Sequence, residues 1–278
     1  MDIFLYFSEH LWLLLCVMAL LGSLAGFMSG LLGIGGGLVL VPCFYFGFAA
    51  MGYDPAVLMH VAVGTSLAVI APTGISAAFA HYKRGAFDSA VFKKTAPGMF
   101  MGALCGVMIA DHATADVLQY IFAAAVFIVA LIMFTNPSRF RLFNGVPPVY
   151  ISIPCAVGIG ILASLMGIAG ALLMVPFLSV CGVVMHRAVG TASAIGVTVS
   201  VPAALGFIWI GLSQDTGMDY MIGYVHWLAF LTIIPFTILA APLGAKVAHS
   251  VSIQRLRLFF AFFMLVVAAR MFIEALYG

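Results

Sequence analysis

The sequence predicts an all-α polytopic membrane protein made of two five-segment inverted repeats, each with a glycine-rich interrupted or re-entrant hairpin. Three observations predict this fold. Hydrophobic residues form 65% of the 278-residue chain and charged residues only 7%, against about 25% charged in a soluble domain; mean hydropathy is +1.23. Long apolar runs follow one another without the alternating polarity of a β-barrel strand. A glycine-rich interruption in the first half recurs, altered, in the second.

In order, the apolar segments are 11–32, 38–50, 56–80, 95–111, 115–135, 149–166, 171–184, 187–212, 222–248 and 253–276. The first follows Asp2 and Glu9 rather than a basic stretch, and no small-residue cleavage site closes it, so it reads as a retained helix. Segments 38–50 and 171–184 are too short to span. At 1.5 Å per residue the former reaches about 20 Å, against a hydrocarbon core of about 30 Å. A hairpin that enters the membrane and turns back within it fits this length. Pro72–Thr73–Gly74 and Pro202 are expected to break the segments that follow the two short arms.

Loop charges give the orientation. With ten segments counted, every basic residue except Arg270 falls on one side, which is then cytoplasmic. All the acidic residues except Asp88 fall on the other, and both termini are placed in the periplasm of a bacterial inner membrane. Dropping the two short segments scatters the basic residues over both sides.

The halves match in detail. "LLGIGGGLVLVPCF" (31–44) resembles "LMGIAGALLMVPFL" (165–178), and "HVAVGTS" (60–66) resembles "HRAVGTAS" (186–193). "APGMFMGALCG" (96–106) matches "IPFTILAAPLG" (234–244) around Pro97 and Pro235. Each half holds an odd number of segments, so the second is inverted relative to the first. The organisation is a first repeat over 1–136, a cytoplasmic linker over 137–148 and a second repeat over 149–278. Paired interrupted segments in an inverted repeat are the sequence pointer to a secondary-transporter site at the midplane.

Backbone freed from a helix cannot face lipid, since each unsatisfied amide or carbonyl costs several kcal/mol. The turns Gly33–Gly37 and Gly167–Ala171 must therefore be buried or line a cavity. The short helices after them begin with unpaired N–H groups and a partial positive charge. Two such ends facing one cavity suit an anion. Gly35, Gly36, Gly37 and Gly170 are the candidate backbone donors, and Thr65, Ser66, Thr191 and Ser193 the candidate hydroxyls. Gly26/Gly30 and Gly102/Gly106 read as helix-packing pairs.

His60 and His186 are candidate proton relays or gates, or else interfacial anchors, with Arg187 at the cytoplasmic mouth; His226 and His249 carry a weaker version of the same choice. The five cysteines lie in apolar runs without a C-x-x-C pair and read as packing residues. No metal-spaced cluster, paired carboxylates or nucleotide fingerprint is present, so neither an enzyme nor a cofactor is expected. The dispersed net charge of +2 points away from nucleic acid. Membrane lipid and a small anionic substrate are the expected partners, and assembly into a homo-oligomer is compatible with the sequence.

These motifs, chiefly 30–42 and 60–66 with their second copies at 165–178 and 186–193, resemble those of the sulfite exporter TauE/SafE family, also described as 4-toluene sulfonate uptake permeases. The resemblance covers nearly the whole chain. It implies movement of sulfur-containing anions (sulfite, sulfonates such as sulfoacetate, taurine-related compounds) across a bacterial inner membrane. Ala169 and Ala171 depart from the glycine pattern of the first copy. The resulting expectation is a secondary transporter working by alternating access, with an anion channel built on the same midplane site as the alternative.

Overall fold

The computed structural model describes residues 11–33, 35–134, 143, 145–214, 219–248 and 253–277. Among these, the first half forms α1 (Leu11–Leu32), α2 (Gly37–Ala50), α3 (Pro55–Lys83), α4 (Ser89–His112) and α5 (Ala115–Phe134). The second forms α6 (Val149–Leu165), α7 (Ala171–Val180), α8 (Met185–Gly211), α9 (Trp227–Val247) and α10 (Ile253–Tyr277). Two short strands, β1 (Met221–Ile222) and β2 (Val225–His226), pair antiparallel just before α9. The linker expected over 137–148 lies largely outside the described residues, as do Asp2, Glu9, Arg139, Arg141, Asp215 and His249.

This is an all-α polytopic membrane protein. Helices α3, α5, α8 and α9 are long and apolar enough to cross a membrane, whereas α2 has 14 residues and α7 has 10. Side chains such as Leu20, Met108, Trp209, Leu239 and Phe262 project outward. An apolar exterior of this kind suits hydrocarbon.

Local capping explains where the helices begin. Asp54 Oδ1 accepts from the Ala56 N–H at 2.9 Å with Pro55 at the first helical position of α3. Asp88 Oδ1 accepts from Ala90 and Val91 N–H at 3.0 and 3.2 Å. That cap draws the polar residues before the apolar run at 95–111 into α4.

Three sequence expectations are corrected. Neither Pro72 nor Pro202 breaks its helix: α3 and α8 run through them. Buried neighbours and side-chain bonds compensate, as membrane helices allow; the Thr73 hydroxyl lies 2.7 Å from the Val69 carbonyl in the same turn. The segment expected from 222 begins instead as the strand pair, because Tyr220 (φ 63°) and Gly223 (φ 57°) turn the chain before α9 can start. The segment 171–184 stops helically at Val180, where Gly182 takes φ 78°.

Helices α3 and α8 pack on each other at the centre. Helix α1 lies along α9, which also touches α3; α6 lies along α4, which also touches α8. The short helices α2 and α7 pack on α3 and α8, and α5 pairs with α10. Two lines of small residues bring the flanking pairs into backbone contact. Gly22, Gly26 and Gly30 sit against Ile233, Thr237 and Ala241, while Gly98, Gly102 and Gly106 sit against Ile153, Val157 and Ile161. A side chain at any of these positions would overlap the opposing helix.

Candidate functional site

The two glycine turns meet in the interior. Gly37 faces the Gly167 carbonyl and Ile168, and Gly35 faces the methyl of Ala169, with Ile70 of α3 beside both glycines. The first candidate cluster and the second turn are thus brought together. Ile34 lies outside the described residues.

Each turn ends at a left-handed glycine that serves as the N-cap of a short helix: Gly36 at φ 76° for α2 and Gly170 at φ 71° for α7. An L side chain in that conformation costs roughly 1–2 kcal/mol. Neither cap has a side-chain hydrogen bond. The first amides bonded within their own helices are Val39, to Gly36 O at 3.0 Å, and Leu173, to Gly170 O at 3.1 Å. Gly36, Gly37 and Leu38 are buried, as are Gly170, Ala171 and Leu172. Both helices therefore direct the positive ends of their dipoles into the protein.

The serines reach these turns. Ser66 Oγ donates to the Gly167 carbonyl at 2.9 Å, so a hydroxyl of the first half holds the turn of the second. Ser193 Oγ donates to Val189 O at 3.0 Å and lies alongside Gly33. The threonines do not reach them. Thr65 Oγ1 accepts from the His226 N–H at 3.0 Å, and Thr191 Oγ1 accepts from the Asp88 N–H at 2.9 Å. Each threonine ties a loop to its helix.

His60 is buried, with Nε2 3.1 Å from the Ala110 carbonyl and its ring 5.0 Å from that of Tyr224. His186 and Arg187 are exposed at the other end of the molecule, and Arg187 Nη1 lies 3.7 Å from Asp88 Oδ2. The three residues are not brought together.

Sequence reasoning gave His226 only a weaker form of the ambiguity it gave His60 and His186, and the structure gives that residue the fuller set of partners. Its Nδ1 accepts from the Ala229 N–H at 3.1 Å and caps α9, which leaves the proton on Nε2 to donate to Tyr53 Oη at 2.9 Å. Phe48 and Tyr53 stack on the ring. Burial pushes the His226 pKa below its ordinary value, against a smaller opposing backbone hydrogen bond. Missed altogether were Ser29 and Ser200, whose buried hydroxyls have no hydrogen-bond partner among the described residues. Ser200 follows Val199, which reaches Gly170, and stands one helical turn beyond Gly196, which lies on the Ala169 carbonyl. Asp88 carried a readable signal, an N-cap aspartate before a helical run; nothing in the sequence distinguished Ser200.

Among the described residues, no group of three or more His, Cys, Asp or Glu side chains is placed to hold a metal ion. The five cysteines are free thiols.

Comparison with known proteins agrees with this architecture. Residues 18–271 match the family described as sulfite exporter TauE/SafE. A "Probable membrane transporter protein" of Haemophilus influenzae is 31% identical over 264 residues, covering 95% of this chain and 99% of its own. Proteins with the same description from Bacillus subtilis and Methanocaldococcus jannaschii are 26% and 28% identical, covering 94% and 88% of this chain and 98% and 91% of their own. No solved structure gives a significant match. A family match over nearly the whole chain, joined to relatives that are transporters rather than enzymes, identifies this protein as a membrane transporter of the TauE/SafE sulfite exporter family.

Proposed function

We propose that the protein moves small sulfur-containing oxyanions, sulfite or organosulfonates, across the bacterial inner membrane by alternating access. The observation that carries this reading is the meeting of two uncapped, buried helix N-termini at the glycine turns. Backbone amides from Gly35 to Gly37 and around Gly170, with Ser66 and Ser193, would surround the anion. Several neutral donors fit a sulfonate's three oxygens and release it more readily than a buried cation would. On this reading the contact of Gly35 with Ala169 belongs to a closed state, from which the turns part to admit substrate.

The inverted-repeat reading, with α1–α2 and α6–α7 as hairpins, is supported by the packing. Exchanging α1–α5 for α6–α10 turns the α1–α9 contact into α6–α4, the α3–α9 contact into α8–α4, and the α2–α3 contact into α7–α8. The basic residues at the C-terminal end of α3 and the N-terminal ends of α4 and α8 support the reading that this side faces the cytoplasm, with the termini in the periplasm.

The test is flux of sulfite and of sulfoacetate into liposomes holding the purified protein. Saturable flux with counterflow is expected, reduced at least tenfold by Ser66→Ala in protein that retains its fold. Flux that never saturates, without counterflow, would instead identify a channel.

A further inference from the structure

The two threonines of the repeated His-x-x-x-Gly-Thr stretches hold two loops in the same manner at opposite ends of the molecule. At one end, the segment 221–226 lies on α3. Gly64 leaves room for the Tyr224 carbonyl, and Thr65 Oγ1 accepts from the His226 N–H at 3.0 Å. The same segment grips α8: Tyr224 N–H donates to Phe207 O at 3.2 Å, and Gly223 sits against Ile208. At the other end, the segment 84–88 continues from the C-terminus of α3 and lies on α8. Gly190 leaves room for the Ala86 carbonyl, and Thr191 Oγ1 accepts from the Asp88 N–H at 2.9 Å.

The residue held by each threonine is also the N-cap of the next helix, His226 for α9 and Asp88 for α4. Each carries one more bond to the element below it, His226 Nε2 to Tyr53 Oη at 2.9 Å and Asp88 Oδ2 to Arg187 Nη1 at 3.7 Å. Both loops thus clasp α3 to α8, one at each end of the pair, and the glycine turns lie between them. Ser66 on α3 and Ser193 and Gly196 on α8 touch those turns. Parting α3 from α8 at either end would open a path to the turns from that side alone.

We infer that segments 221–226 and 84–88 are the outer and inner gates of the transporter, latched by Thr65 and Thr191. Opening at one end breaks a threonine bond and the N-cap contact there, while the opposite latch keeps the other end shut. The role of the threonines is positional: they act on substrate access and not on the substrate. The inference rests on the alternating-access reading of the preceding section.

The test uses the full chain with its five cysteines replaced and one cysteine introduced at the turn, Ala169→Cys. Vesicles of both orientations are treated with a membrane-impermeant thiol reagent, without substrate. Thr65→Val should speed labelling about tenfold from the side of Tyr53 and His226 only, the equilibrium factor expected for one buried hydrogen bond. Thr191→Val should do so from the side of Asp88 and Arg187 only. Thr65→Ser and Thr191→Ser keep the hydroxyl and should restore the slow parental rate. Acceleration from both sides by either variant, or from the wrong side, overturns the inference and leaves the threonines as general fold supports. So does an unchanged rate in protein that still elutes as a single folded species. Sided labelling in protein that moves no sulfur anion would keep the gates and remove the substrate reading; saturable anion flux with unsided labelling would do the reverse.

Discussion

Replacing Gly36 by alanine sets backbone conformation against packing at one atom. Gly36 holds φ 76°, and a Cβ there would stand 2.5 Å from the Ala25 carbonyl oxygen of α1. The left-handed conformation alone costs roughly 1–2 kcal/mol for an L residue. Relieving the overlap means moving α2 off α1, an overpacking cost of typically 1–3 kcal/mol. The sum is a loss of about 2–5 kcal/mol. Gly47, in the same helix, supplies the counterpart: a Cβ there meets nothing within 4 Å and φ is helical. Alanine at that site should gain up to about 1 kcal/mol from helix propensity. Thermal unfolding in detergent, at one protein concentration and one scan rate, separates the two. At roughly 2–4 °C per kcal/mol for a chain of this size, Gly36→Ala should fall by about 5 °C or more and Gly47→Ala should hold or rise. A Gly36→Ala midpoint within 1 °C of the parent, or a Gly47→Ala midpoint below it by as much as Gly36→Ala, would refute the account of the turn.

Ser66→Ala removes the bond from α3 to the Gly167 carbonyl of the second turn and should lower the midpoint by a loss of roughly 1–3 kcal/mol, the cost of stranding a buried acceptor; recovery in Ser66→Thr would trace the loss to the hydroxyl. Ser200→Ala should be neutral or stabilising, since its buried hydroxyl has no partner to lose, and a lower midpoint would show a bond formed in the membrane. The His226 pKa is lowered on folding, so its contribution is complete above the unfolded value near 6.5 and is lost as the pH falls toward the folded value. Protonating Nδ1 would also point a donor at the Ala229 N–H it now accepts from. The midpoint should therefore drop between pH 7.5 and pH 5 by more in the parent than in His226→Asn, which keeps a capping oxygen; equal drops would remove His226 as the titrating group.

The helical plan was readable because lipid leaves few options: an apolar run of the right length becomes a helix, and glycine just past its end marks where it stops, as Gly33, Gly52 and Gly167 do. That is why α1, α2 and α6 begin and end within a residue or so of the sequence reading. Hydroxyl roles were less readable. Thr65 and Ser66 are neighbours in sequence, yet one side chain reaches a loop and the other a turn, a difference set by helix rotation against α8 and invisible in the motif. The prolines misled for a related reason. Pro72 carries the sequence signal of a break, but the carbonyls it disturbs sit inside a packed core where Thr73 and its neighbours take up the slack. The strand pair at 221–226 escaped notice because its residues are as apolar as the helix they precede.

The glycine line on α1 has a consequence for how the chain is made. Gly26 packs on Thr237, about 210 residues later in synthesis. At roughly 5–20 residues per second, the ribosome delivers that partner some 10–40 s after α1 has entered the bilayer. Through that interval the flat face of α1 meets lipid or a membrane chaperone, and a bulky residue there would go unnoticed until α9 arrived. Damage to this face would surface as a late failure of assembly, with the first half inserted and the second unable to close on it.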